Sequence, residues 1–258
     1  MKKKIALLMA VIMTVATFAG CGKKQNEFIV GFDAEFPPFG YVAEDGSYTG
    51  FDLELAQEVC ERRGWKLVKK AINWETKDAL IASGEIDCIW NGFTMNGRED
   101  DYTWSVPYVN NSQVYVVRTD SGIKSQADLK NKKIGVQKAS AALAALTSED
   151  NTELYNSFDE VKEYDSYVIA FQSLEGDAID ALAMDIGVAK VQMAEKEAGE
   201  FTILSDYLSE EQYGIGFKLG NEKLKDKVEE TLMEMVEDGT FMEIAKKYDL
   251  QDAVCLGK

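Results

Sequence analysis

The sequence predicts an α/β protein of two lobes, each a mostly parallel sheet flanked by helices, with the chain crossing between the lobes twice. Three observations carry this. Strand-like and helix-like segments alternate in the order strand, helix, strand, helix, strand, and that order occurs twice. A local signature, Ser83-Gly84-Glu85-Ile86-Asp87, returns as Glu175-Gly176-Asp177-Ala178-Ile179-Asp180 at the same place in the second unit. After the second unit a strand and two helices are left with no third unit to join, so they are expected to pack back onto the first lobe.

Each element follows from local pattern. Residues 28–32 read as a strand and residues 33–50 as a long loop containing Pro37 and Pro38. Residues 51–63 place Leu55, Ala56, Val59 and Cys60 on one helical face, with Gly64 as the stop. A strand follows at 66–72, then a short helix over 76–83 that ends at Gly84, then an apolar run of strand length at 86–90. Residues 112–117 alternate and read as a strand between the units. The second unit has strands at 133–137, 161–164 and 179–184, with helices from about Ser140 and up to Leu174. A returning strand spans 212–219, and 222–248 forms two helical pieces broken near Gly239. The expected lobes are residues 28–111 with 214–258, and residues 112–213.

Composition narrows the chemistry. The chain has 258 residues, 28 basic and 45 acidic, for a net charge of −17. The basic residues are scattered among acids and form no basic face, so nucleic acid is not an expected partner. There is no histidine, which removes Ser–His, Cys–His and His-based metal sites at once. No cysteine pair has metal-ligand spacing, and no Gly-rich loop leads into Lys and Ser or Thr, so neither a metal nor a cofactor is expected. Cys60 and Cys88 fall on apolar faces and read as small core residues, with Cys255 as the third cysteine beyond Cys21. A bridge between Cys60 and Cys88 does not follow from the pattern.

The first twenty residues read as a leader. Lys2, Lys3 and Lys4 precede an apolar run at 5–20 that is shorter than the ~20 residues a membrane span needs. Phe18-Ala19-Gly20-Cys21 resembles the end of a bacterial lipoprotein leader. That resemblance implies cleavage before Cys21, lipid on its thiol, a tether at residues 21–27, and an extracytoplasmic protein anchored to the cell membrane. Without the three lysines the mature chain carries 25 basic and 45 acidic residues, a charge of −20.

A second resemblance covers residues 28–248. The run Gly31-Phe32-Asp33-Ala34-Glu35-Phe36-Pro37-Pro38-Phe39, then Gly50-Phe51-Asp52-Leu53, then Gly92-Phe93-Thr94 with Arg98, resembles the amino-acid-binding proteins of bacterial ABC importers. Tyr213-Gly214-Ile215-Gly216-Phe217 is similar to that family's return crossing. The resemblance implies the two-lobed periplasmic-binding-protein fold of type II, no catalysis, a free amino acid as ligand, a membrane permease as partner, and a monomer. It also implies site residues. Arg98 would grip the ligand's carboxylate, with hydrogen bonds from Thr94 and the backbone at Gly92 after a Gly-x-Thr turn. Gln137, Ser140 and Ala141 would meet the carboxylate from the second lobe, at the start of a helix. Asp185 would hold the ammonium, Asp33 would lie near the amine or side chain, and Phe36 and Trp74 would form aromatic walls.

Three departures stand out. The segment from Thr94 to Arg98 is one residue shorter than is usual in the family, Ala139 stands where Gly is frequent, and Ala141 where Thr or Ser is frequent. Asp33, Glu35 and Asp185 set against Arg98 favour neutral polar or cationic amino acids over acidic ones. An amino-acid-sensing module, and an enzyme resembling cyclohexadienyl dehydratases, stand as the alternatives.

Overall fold

The computed structural model describes residues 26–258; the leader and the Cys21 lipidation site lie outside the described residues. The first lobe opens with β1 (Glu27–Phe32). Three short strands follow, β2 (Glu35–Phe36), β3 (Gly40–Val42) and β4 (Tyr48–Thr49), paired antiparallel as a small separate sheet. The loop expected over 33–50 is therefore partly ordered by backbone pairing, Glu35 opposite Tyr41 and Tyr41 opposite Thr49. Strands of two or three residues leave too little periodicity to be recognised in advance.

Helix α1 (Phe51–Arg63) ends at Gly64, whose φ of 65° is open to glycine without a Cβ penalty. Its apolar face, Leu55, Ala56, Val59 and Cys60, has no exposure at all. Next come β5 (Lys66–Ala71), a 3₁₀ turn at Trp74–Thr76, α2 (Lys77–Ser83) and β6 (Cys88–Thr94). Strand β6 runs through Gly92-Phe93-Thr94, so the expected Gly-x-Thr turn is strand; all seven of its residues are buried, and burial on both faces removes the alternation that marks a strand's end. Cys88 sits in it as the small core residue expected.

A short β7 (Thr103–Trp104) precedes the first crossing strand, β8 (Val109–Arg118). The second lobe has β9 (Lys133–Gln137), α3 (Ala141–Leu146), α4 (Thr152–Ser157), β10 (Glu160–Tyr164), α5 (Tyr167–Glu175), β11 (Ala181–Asp185), α6 (Ile186–Ala194) and β12 (Phe201–Ile203). The chain returns through β13 (Ser209–Phe217) and closes with α7 (Glu222–Asp238) and α8 (Thr240–Lys247), split at Gly239.

One path of paired strands, β10-β9-β11-β8-β13-β6-β1-β5, joins the two halves. Within each half β1 pairs parallel with β5 and β6, and β9 with β10 and β11. The crossing strands work in both. Residues 209–213 of β13 pair with β8, and residues 213–217 with β6. Parallel strands of an open α/β sheet present ligand sites at their carboxyl ends. Here β1, β6, β9 and β11 end at or next to Asp33, Thr94, Gln137 and Asp185.

Candidate functional site

The lobes meet across the cleft through side chains at those strand ends. Gln137 Nε2 in the second lobe donates to Asp33 Oδ2 in the first at 2.8 Å. Lys77 Nζ reaches the Ala139 carbonyl at 3.3 Å, and the rings of Phe36 and Tyr167 lie 6.0 Å apart. Asp33 is shaped locally as well, its Oδ1 accepting from the Glu35 amide at 2.9 Å. Burial pushes its carboxyl above the ordinary aspartate range, against the pull of those two bonds.

Asp185, the last residue of β11, leads into α6 but does not cap it with its side chain. Its Oδ1 instead accepts from Asn111 Nδ2 at 2.9 Å, Gln113 Nε2 at 2.7 Å and the Tyr213 hydroxyl at 2.5 Å, all from the crossing strands. Oδ2 takes none of these bonds. Glu211 lies next to it on β13, and its Oε1 accepts from Thr94 at 2.9 Å and from the same Asn111 and Gln113 amides at 2.7 and 2.8 Å. Two buried carboxylates thus share two donors, and among the described residues neither has a lysine or arginine nitrogen within ion-pair distance. Burial and the neighbouring Asp185 charge raise the Glu211 carboxyl to about 7, and burial raises Asp185 too.

Arg98 is placed in the loop after β6. Its Nη1 donates to the Thr94 carbonyl at 3.1 Å, and its guanidinium lies 5.3 Å from the Phe93 ring centre. A cavity of about 230 Å³ is lined by Arg98 and Glu211 together with Ala141 and Ala145 of α3. Ser140 is committed as the N-cap of α3, accepting from the Leu143 amide at 3.1 Å. The amides of Ala141 and Ala142 in the first turn have no acceptor within the helix. Ala139 has φ of 52°, the left-handed region that favours glycine, which gives a physical reason for Gly being frequent there in the resembled family.

Three expected site residues are engaged with other groups. The Gly92 amide donates to Asp52 Oδ2 at 2.6 Å. Thr94 turns its hydroxyl proton to Glu211. Trp74 packs edge-on to Phe93 at 5.4 Å within a small core of the first lobe, and Lys77 lies over its ring at 5.2 Å. Asp33, Phe36, Arg98, Gln137, Ala141 and Asp185 are brought to the cleft itself.

Sequence reasoning passed over Glu211, Asn111, Gln113, Tyr167 and Lys77. The crossing strands carried little local signal: residues 110–113 and 209–212 are polar throughout, and only the structure shows that Asn111, Gln113, Glu211 and Tyr213 alternate onto the buried face.

Two α/β lobes with a cleft crossed by two strands and lined by opposite charges are the architecture of a solute-binding protein. The chain belongs to the bacterial extracellular solute-binding proteins, family 3, whose model matches residues 28–251. It is 29% identical over 252 residues to an L-cystine-binding protein of Escherichia coli strain K12, covering 95% of this chain and 92% of that protein. A substrate-binding protein of an ABC uptake transporter from Streptococcus pneumoniae, solved with bound histidine, superposes with a TM-score of 0.84 at 32% identity, covering 89% of this chain and 94% of that one. An ancestral arginine-binding protein bound to arginine superposes at 0.79 with 33% identity, covering 87% and 98%. These relatives are binding proteins, and this chain is a binding protein, not an enzyme. No helix among the described residues is long and apolar enough to cross a membrane.

Proposed function

We propose that this chain is the receptor of an ABC importer, held to the membrane by lipid on Cys21, that captures one free amino acid between its lobes and delivers it to a permease. Closure would turn about the crossings at Val109–Arg118 and Ser209–Phe217, which belong to both halves of the sheet. The observation that carries the reading is the separation of charge in the cleft. Arg98 faces the start of α3 across a cavity, where a carboxylate has both a guanidinium and unpaired amides to meet. Asp185 and Glu211 lie by the crossing strands, where an ammonium finds two carboxylates. A free amino acid carries both groups on one carbon.

For the side chain we favour neutral polar or cationic ligands. Asp33, Asp185 and Glu211 outnumber Arg98 and Lys77 around the cleft, and an added ligand carboxylate would face that excess. Melting temperature against each of the twenty amino acids tests the reading, because a ligand at 100 times its Kd stabilises by about 2.7 kcal/mol. A shift with arginine, glutamine or histidine is expected. No shift with any of the twenty overturns amino-acid capture, and glutamate or aspartate as the best ligand overturns the preference. Replacing Cys21 with Ser should release a protein that still binds.

A further inference from the structure

Glu211 is buried without a cation, shares both its amide donors with a second carboxylate, and opens on the cavity that Arg98 lines. Two carboxylates cannot both hold full charge in such a place without a positive partner. The proposed capture of an amino acid supplies one only while ligand is present. Resting on that reading, we propose that Glu211 and Asp185 form a two-carboxylate ammonium site that holds one proton when the cleft is empty and releases it to solvent as the ligand's ammonium enters.

The surroundings fit this exchange. Glu211 faces Asp185 from β11, Tyr213 on its own strand, Tyr167 from α5, the neutral amides of Asn111 and Gln113 from β8, and Thr94 from β6, with Arg98 reached only through the cavity. Two further buried groups lack partners. Gln113, with no exposure, leaves its Oε1 unbonded while its Nε2 serves both carboxylates, and the Tyr167 hydroxyl lies beside Ser140 and Asp185 without completing a hydrogen bond to either. An ammonium has three donors, and acceptors are what this end of the cleft offers. The Glu211 carboxyl, raised to about 7, lies where a proton can be held at rest and lost on binding. The chain has no histidine, so no imidazole can mimic the signal.

Calorimetry of L-arginine binding in phosphate and in Tris separates released protons from binding heat, since the two buffers differ in ionisation enthalpy. If arginine gives no melting shift, the best-stabilising of the twenty amino acids other than histidine replaces it. At pH 6 the wild type should release between half and one proton and bind about tenfold more weakly than at pH 8. Glu211→Gln should release none and show no change in Kd between the two pH values. Glu210→Gln on the exposed face, and Asp52→Asn, whose buried carboxyl is also raised to about 7, should release as the wild type does. Carbon-13 NMR of glutamate carboxyls in the empty protein should show one group titrating near neutrality that Glu211→Gln removes. Binding without proton release, release that persists in Glu211→Gln, or release lost in Asp52→Asn overturns the exchange and leaves amino-acid capture standing. Absence of binding to all twenty overturns both.

Discussion

At the hinge end of the cleft Asp185 and Glu211 share the amide donors of Asn111 and Gln113, whereas Arg98 and Lys77 are tied to separate carbonyls, Thr94 on the same lobe and Ala139 across the cleft. Both ends double a charge of one sign, but they are built differently. Glu211 stands on β13, which pairs with β8 on one side and β6 on the other, and Asp185 ends β11, which pairs with β8 and β9. The cations stand on a loop and at the first residue of a seven-residue helix, and Lys77 finds its acceptor only where the lobes touch. The anionic end is thus held by paired strands, and the cationic end is completed where the lobes touch.

That contrast can be broken most sharply at Asp185. Asp185→Asn keeps an acceptor for Tyr213, Asn111 and Gln113 but removes the charge, and is expected to weaken arginine binding by about 3–4 kcal/mol, a few hundredfold. Calorimetry at pH 8 measures it, and a Kd within threefold of the wild type would show that the hinge end does not hold the ligand's amine. Arg98→Ala comes next. Losing a two-point grip on a carboxylate should cost about 2–3 kcal/mol in affinity. The melt of the empty protein should move by less than about 2 °C, because the Arg98 side chain makes one hydrogen bond and one ring contact. A large loss without ligand would make Arg98 a structural residue and erase the contrast.

How far the sequence foretold these ends follows the same division. The positions of Asp33, Gln137 and Asp185 came from the family resemblance, which sets polar residues at strand ends, and those ends can be located from the apolar runs before them. The same logic misplaced the end of β6: burial on both faces hid that Gly92, Phe93 and Thr94 continue the strand. Glu211 escaped because its partner Asn111 is 100 residues away, and nothing local to 209–213 says which face will be buried. Lys77 escaped for a related reason. At the start of a short helix beside Glu75 and Asp78 it reads as a solvated charge, whereas in the structure it is 3% exposed, over the Trp74 ring and bonded to the Ala139 carbonyl. The order of the large elements depends on local periodicity, which sequence shows; the site depends on contacts across the cleft, which it does not.

The anionic end should also announce itself without ligand. Burial raises Glu211 and Asp52 to about 7, above their unfolded values, so the folded state binds more protons than the unfolded chain between pH 4 and 7. Their contribution to stability is fully present below about pH 4 and is lost as pH rises through 7. Urea unfolding of the empty protein should therefore give more stability at pH 5.5 than at pH 8, by about 2 kcal/mol from each of the two groups. Glu211→Gln should flatten part of that slope and Asp52→Asn the rest. A flat profile in the wild type would mean that Glu211 and Asp52 both stay charged in the folded protein.

The smallest effect is expected at Lys77, and it has the opposite pH signature. Burial lowers its amine to about 8, below its unfolded value, so the stability tied to the neutral amine is present above about pH 10 and is lost as pH falls through 8. At pH 7 the group is charged, buried, and met by one carbonyl and the face of Trp74. Lys77→Met keeps the length of the side chain over that ring and removes the charge. The empty protein should gain about 1 kcal/mol at pH 7, or 2–4 °C in melting temperature for a chain of this size, with the gain shrinking toward pH 10. A lower melting temperature at pH 7 would mean that the bond to Ala139 and the contact with Trp74 outweigh the burial of the ammonium. The cationic end would then be held as firmly in the empty protein as the anionic one, and closure would have nothing left to complete there.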